Sequence, residues 1–242
     1  MSPARWLRAV ALVSLTATLM ASACLWSPTV PIPEAVPPAG DAVPAIDTHL
    51  RGRPADQLHS WAAERAPGLG MPVLALEAYG YAAKVAQVEN EKCHLSWTTL
   101  AGIGMVESHN GTYKGATIAP NGDVRPRIRG VRLDGSRGNL QIVDDTPGES
   151  ANEPAYARAM GPMQFIPETW RLYGVDAHND GVVSPDNLDD AALSAAGYLC
   201  YRGHNLATPR GWMAAVLAYN NSRLYARTVR RWATAYAGGH SL

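Results

Sequence analysis

The sequence predicts a mainly α-helical domain of the α+β class with a small β and loop insertion, preceded by an export signal and a proline-rich linker. Three observations predict it. Apolar residues recur at helical steps from residue 72 to 108 and again from 167 to 237. Residues 111–160 break that rhythm with Gly, Asp, Arg and Pro. The first 44 residues carry a short apolar run and then prolines, with no core periodicity. At 242 residues and 47% apolar the chain can bury a substantial core. Lys plus Arg (21) equals Asp plus Glu (21), so the basic footprint of a nucleic-acid binder is missing and nucleic acid is not expected as a partner.

Residues 1–23 read as the signal: Arg5 and Arg8 precede an apolar stretch from Ala9 to Met20, followed by the small-residue pattern "ASAC". An uncleaved anchor is the competing reading, although the run falls short of the roughly 20 residues that span a bilayer. Three cysteines are an odd number for an exported chain, where thiols pair. Cys24 directly after Ala23 resembles the lipid-bearing cysteine of a bacterial lipoprotein signal, with Ala21 where such signals usually carry Leu; plain secretion after Ala23 is the alternative. That leaves Cys93 and Cys200 to form one disulfide, or to stand as two separate buried thiols. Residues 24–60 form the linker. Its stretch "SPTVPIPEAVPPAGDAVP" favours an extended, polyproline-like spacer. The folded domain is assigned to residues 61–242.

Within it, Leu74, Ala78, Tyr81, Val85 and Val88 define a first helical stripe. Ser96 is positioned to cap a second helix, "WTTLAGIGMVES", with Trp97, Leu100, Ile103 and Met105 inward. In the insertion, "GVRLDG" and "LQIVDDT" read as small strands. Pro167 opens "PETWRLYG", Asn187 caps "LDDAALSAAGYLCYRG", and Thr208-Pro209 opens "RGWMAAVLAYN". The last segment, "SRLYARTVRRWATAYA", is amphipathic, with Leu224, Val229, Trp232 and Tyr236 as candidates for burial. Trp97, Trp170 and Trp212 sit at core spacing.

Glu107 is the chemically conspicuous residue. From Cys93 to Tyr113 it is the only charged side chain apart from two histidines. Near a helix C-terminus and among apolar neighbours its pKa is expected to rise, which suits a general acid. Taken alone, it could also be a solvated helix-end Glu. Gln164 in "GPMQFIPETW" offers an amide among apolar neighbours, either for sugar hydroxyls or as a satisfied core group. Tyr219 and Asn220 end another helix. Ser108 stands beside the acid or bonds a backbone carbonyl.

The ordered set "GIGMVESHNG", "GPMQFIPETW", "DAHNDG" with "DNLDDAALSAAGYLC", and "AVLAYNNSRLY" resembles the lytic murein transglycosylases, B type, of lysozyme-like fold, over residues 70–237. The resemblance implies cleavage of the MurNAc–GlcNAc β-1,4 bond of peptidoglycan glycan strands, with Glu107 as single acid and base and a 1,6-anhydro product. It implies substrate contacts at Ser108, Gln164, Phe165, Tyr219 and Asn220, and no required cofactor. The segment "DAHNDGVVSPDNLDD" resembles the cation loop of some members, with Asp176, Asp180, the Val182 carbonyl and Asp190 as ligands for a structural calcium; His178 stands at the third position, where an oxygen is expected, and a capping loop without a cation is the alternative. Arg125, Arg127, Arg129, Arg132 and Arg137 either touch anionic wall groups or are solvated. "RLDGSRG" and "DDTPGES" also resemble family segments. A monomer in the cell envelope, tethered through Cys24 or secreted, is expected. The other functions open to this sequence are a hydrolytic muramidase on the same scaffold and a non-catalytic wall-binding protein.

Overall fold

A computed structural model describes residues 35–136, 141–143 and 156–242. The signal at 1–23, Cys24, the start of the linker, Arg137 and "DDTPGES" lie outside the described residues. Helix α3 (Trp97–Ser108) starts where Ser96 Oγ accepts from the Thr99 amide at 3.3 Å. Every residue from Trp97 to Gly104 is buried, so this helix is enclosed on all sides rather than along one stripe. Glycines permit that. A Cβ on Gly102 would lie 2.8 Å from the Val229 carbonyl of α7 (Arg223–Ala237), and one on Gly104 would collide with the Tyr79 hydroxyl of α2 (Val73–Glu89).

Around α3 the remaining helices pack in pairs. α1 (His59–Leu69) lies on α2, α2 on α5 (Leu188–Gly203), and α5 on α6 (Pro209–Tyr219), while the short α4 (Pro167–Tyr173) rests on α5. Their starts are set by side-chain caps. Asn187 Oδ1 accepts from the Asp189 amide at 3.0 Å, Thr208 Oγ1 from Gly211 at 3.1 Å, and Ser222 Oγ from Tyr225 at 3.3 Å. The insertion holds two antiparallel pairs: β1 (Thr117–Ile118) with β2 (Val124–Arg125), and β3 (Arg129–Arg132) with β4 (Arg158–Met160) in an irregular register. Bridges Asp123–Asn187 and Met160–Phe165 tie it to the helical part. This is a mostly helical, lysozyme-like α+β arrangement.

Cys93 and Cys200 are bonded, their Cα atoms 5.3 Å apart, joining the approach to α3 with the end of α5. The 107-residue separation makes this crosslink worth about 4–5 kcal/mol in the chain-entropy picture.

Three expectations are corrected. The linker does not run free to residue 60, because residues 35–58 lie across the helices. Trp97 Nε1 donates to the Asp41 carbonyl at 2.9 Å, Thr98 Oγ1 to Pro38 at 3.0 Å, Tyr81 Oη to Thr48 at 3.2 Å and Arg230 Nε to Ala35 at 2.7 Å. All four bonds end on main-chain carbonyls. A proline has no N–H to satisfy, so a proline-rich strand needs only acceptor partners to lie on a folded surface. In α2, Val88 is exposed and the buried face is broader than the stripe, including Ala75, Leu76, Glu77 and Tyr79, because α1, α3 and α5 surround it. In α7, Leu224 is 71% exposed, since the Ser222 cap sets a phase that turns Tyr225, Val229 and Tyr236 inward instead.

Arg53 fastens the N-terminal segment. Its side chain is buried, with Nε 2.7 Å and Nη2 3.0 Å from the two Asp189 oxygens, and it also bonds the buried Glu77. One guanidinium thereby bonds two buried carboxylates on α2 and α5, and His59 Nδ1 lies 2.8 Å from the same Glu77.

Candidate active site

Glu107 sits in the last turn of α3, ahead of His109 and Asn110, both in the left-handed region (φ 53° and 54°), which turn the chain out of the helix. Its carboxylate receives a hydrogen bond from Tyr225 Oη at 2.5 Å. Among the described residues no Lys, Arg or His lies within ion-pair distance of it. Burial pushes the Glu107 pKa up to about 7, and the Tyr225 hydrogen bond opposes that rise without cancelling it. Burial also raises the pKa of Tyr219 and Tyr225 well above the usual tyrosine value, with the Glu107 charge adding to the effect. Both phenols are therefore neutral donors. Tyr225 was not foreseen from sequence, although a Tyr in the first turn after the Ser222 cap, six residues beyond Tyr219, was the available sign.

The loop 161–165 runs beside α3 and α6. Gly161 (φ 72°) is required because a Cβ there would collide with the Pro185 carbonyl. Gln164 (φ 50°) donates from Nε2 to the Gly161 carbonyl at 2.7 Å. Two hydroxyls hold the loop from either side: Ser108 Oγ donates to Pro162 O at 2.6 Å, and Tyr219 Oη to Met163 O at 2.7 Å. Ser108 Oγ also accepts from the Gly111 amide at 2.9 Å and the residue is 1% exposed. Ser108 thus faces the loop backbone rather than an open groove, the alternative the sequence had left standing.

Phe165 meets Tyr219 edge-on at 5.9 Å and Trp170 at 5.3 Å. A cavity of about 130 Å³ is lined by Gln164, Phe165, Ile166, Thr169, Tyr198 and Tyr219. Its mixture of ring faces and one amide suits a sugar ring or its acetamido group. Asn220 is exposed at the end of α6. A larger hollow of about 600 Å³ lies between residues 39–43 and Lys84, Gln87, Glu91 and His94, and contains none of these groups.

The loop 176–190 does not join Glu107. Its carboxylates surround His178, with Nδ1 2.9 Å from Asp190 Oδ1 and Nε2 2.8 Å from Asp180 Oδ2. Burial disfavours charge on this imidazole, but the two carboxylates outweigh it and raise its pKa. From the same loop Asp186 grips Arg129 through two bonds of 2.5 and 2.9 Å and lies 3.3 Å from Arg127. Arg125 is 3.7 Å from Asp123, and Arg132 lies over the Tyr156 ring at 5.3 Å. Arg125, Arg127, Arg129 and Arg132 thus each lie against a group of the protein itself.

Residues 138–216 match the family model described as Transglycosylase SLT domain. No curated protein and no solved structure matches the chain significantly. The matched span takes in the 161–165 loop, the 176–190 loop, α5 and most of α6; Glu107, Tyr219 and Tyr225 fall outside it. Among the described residues no helix is long and apolar enough to cross a membrane. The match supports the transglycosylase family, and with it an enzyme of the lytic-transglycosylase kind that acts on peptidoglycan.

Proposed function

We propose that the protein is a lytic transglycosylase of the B type, cleaving the MurNAc–GlcNAc β-1,4 bond with a single carboxyl group. The observation that carries this reading is Glu107: a half-buried carboxyl raised to about 7 and bonded to a neutral phenol, whose raised pKa owes nothing to a second carboxylate among the described residues. Hydrolysis by the common two-carboxylate schemes needs a partner carboxylate within about 5–10 Å. A lone acid with a pKa near neutrality is suited to give a proton and take one back.

Glu107 donates its proton to the glycosidic oxygen as the bond to the muramic acid C1 breaks, releasing the GlcNAc hydroxyl. Tyr225 then donates its hydrogen bond to the carboxylate so formed. That carboxylate takes the proton of the muramic acid C6 hydroxyl as its oxygen bonds to C1. The 1,6-anhydro ring closes, Glu107 is protonated again, and no water is consumed. Gln164, Phe165 and Tyr219 supply the wall against which the sugar lies, with Asn220 at its rim. The N-terminal run directs the chain to the envelope, where Cys24 carries a lipid or cleavage follows Ala23, and the enzyme acts as a monomer.

Purified sacculi digested with the enzyme should yield anhydro-muropeptides that borohydride does not reduce. Reducible muramic acid ends would instead identify a hydrolase. Sacculus binding without any product, retained in Glu107→Gln, would identify a wall-binding protein.

A further inference from the structure

We infer that the imidazole of His178 occupies the place a divalent cation takes in loops of this shape, so that residues 176–190 close on a side chain of their own and bind no calcium. His178 stands at the third position of the loop, and its side chain is turned inward, 7% exposed. Its two nitrogens reach two different carboxylates, Asp190 at 2.9 Å and Asp180 at 2.8 Å. Each ring nitrogen faces a carboxylate oxygen at hydrogen-bond distance, so the third position supplies no oxygen ligand and the ring stands between Asp180 and Asp190.

The other oxygens are also committed. Asp190 Oδ1 accepts from the Ala177 amide at 2.8 Å and Oδ2 from Ser184 at 2.9 Å. Asp180 Oδ1 accepts from Val182 at 2.7 Å, and Asp176 Oδ2 from Gly181 at 2.8 Å. The remaining carboxylate oxygen, Asp176 Oδ1, is buried without a hydrogen-bond partner and lies 3.7 Å from His178 Nδ1, an electrostatic contact with the ring. Calcium requires about six to eight oxygen ligands, and a loop whose carboxylates already converge on an imidazole and four backbone amides does not supply them. Asp176, His178 and Asp190 do place ligand atoms within 4.8 Å of one another, a spacing open to zinc. Zinc could use Nδ1 only after that nitrogen released Asp190.

The consequence is structural. Asp190 lies in the first turn of α5, and Asp186 of the same loop holds Arg129, so a loop closed by His178 fixes both α5 and the insertion.

The test is thermal unfolding of the full chain in EDTA and with millimolar calcium or zinc, for the native protein and for His178→Asp. The native melting temperature should be the same in all three conditions. His178→Asp restores an oxygen at the third position; in EDTA it should melt about 5 °C or more below the native chain. Calcium should reverse that loss, and terbium luminescence should appear in the variant alone. Stabilisation of the native chain by calcium or zinc overturns the inference. So does a His178→Asp chain that melts like the native one in EDTA, or one whose melting ignores calcium.

Discussion

Replacing Glu107 by Gln removes the charge while keeping the shape and an acceptor for Tyr225 Oη. The folded protein holds this carboxyl at about 7 instead of 4.5, so ionising it in place costs on the order of 3 kcal/mol. The sign follows from proton counting. Below about 4.5 the group is protonated in both states and contributes no pH-dependent term. Between 4.5 and 7 the unfolded chain releases its proton while the folded one retains it, so native stability falls as pH rises. Above 7 the full cost is present. Glu107→Gln escapes this cost, so its advantage over the native chain should grow from pH 4.5 to 7 and then level off. For a domain of this size about 3 kcal/mol corresponds to roughly 6–12 °C in melting temperature. Differential scanning calorimetry of both chains at pH 4, 6 and 8 measures the gap directly. A gap that stays constant with pH, or a variant less stable at pH 8, would show that Glu107 is an ordinary solvated carboxylate, and the acid assigned to it would be lost.

Tyr225→Phe deletes the hydrogen bond that lowers the Glu107 pKa. A bond of this charge-assisted kind is worth about 1.5–3 kcal/mol, so the alkaline limb of kcat/KM should move up by about one to two pH units while the maximal rate falls about tenfold or more. An unmoved limb in the pH–rate profile would sever Tyr225 from the acid. Cys93→Ala with Cys200→Ala should lose about 4–5 kcal/mol at most, read as a lower denaturation midpoint with a raised m-value, because the denatured chain loses its crosslink and exposes more surface. Arg53→Met should cost about 3–5 kcal/mol by leaving Glu77 and Asp189 buried without their cation; urea unfolding measures it, and a loss under about 1 kcal/mol would show that the N-terminal segment is not fastened there.

Much of this was legible in the chain because the signals were local. The caps at Ser96, Asn187 and Thr208 mark helix starts within one residue, since capping depends on the side chain and the next three amides. Glu107 stood out because its neighbours in sequence are also part of its apolar surroundings. Its hydrogen-bond partner did not, because Tyr225 lies 118 residues away and only the packing of α7 on α3 joins them. The docking of residues 35–58 on the helices was hidden for a different reason. Proline-rich composition reports the backbone's preference for extension, and extension is equally compatible with a free spacer and with a strand laid over Trp97 and Thr98. Leu224 failed through phase: a one-residue error on a helix is a rotation of about 100°, enough to move a side chain from core to solvent.

The two clusters of buried charge divide the molecule's electrostatics in a way that supports the reading of Glu107. Where carboxylates hold the fold together, a basic side chain meets them: Arg53 for Glu77 and Asp189, Arg129 for Asp186, and the imidazole of His178, whose pKa its carboxylates raise, for Asp190. Glu107 is treated differently, with a phenol in place of a cation. A guanidinium at that point would fix the carboxylate as an anion and abolish its use as a proton donor at neutral pH. A phenol stabilises the anion less, so both protonation states stay accessible near pH 7. The instability this creates is local and is borne by a helix anchored elsewhere: Gly102 and Gly104 let α7 and α2 pack closely on α3, the Cys93–Cys200 bond secures its approach, and Ser108 fastens its end to the 161–165 loop. An isolated acid is sustainable here because the backbone that carries it does not depend on that acid for its stability.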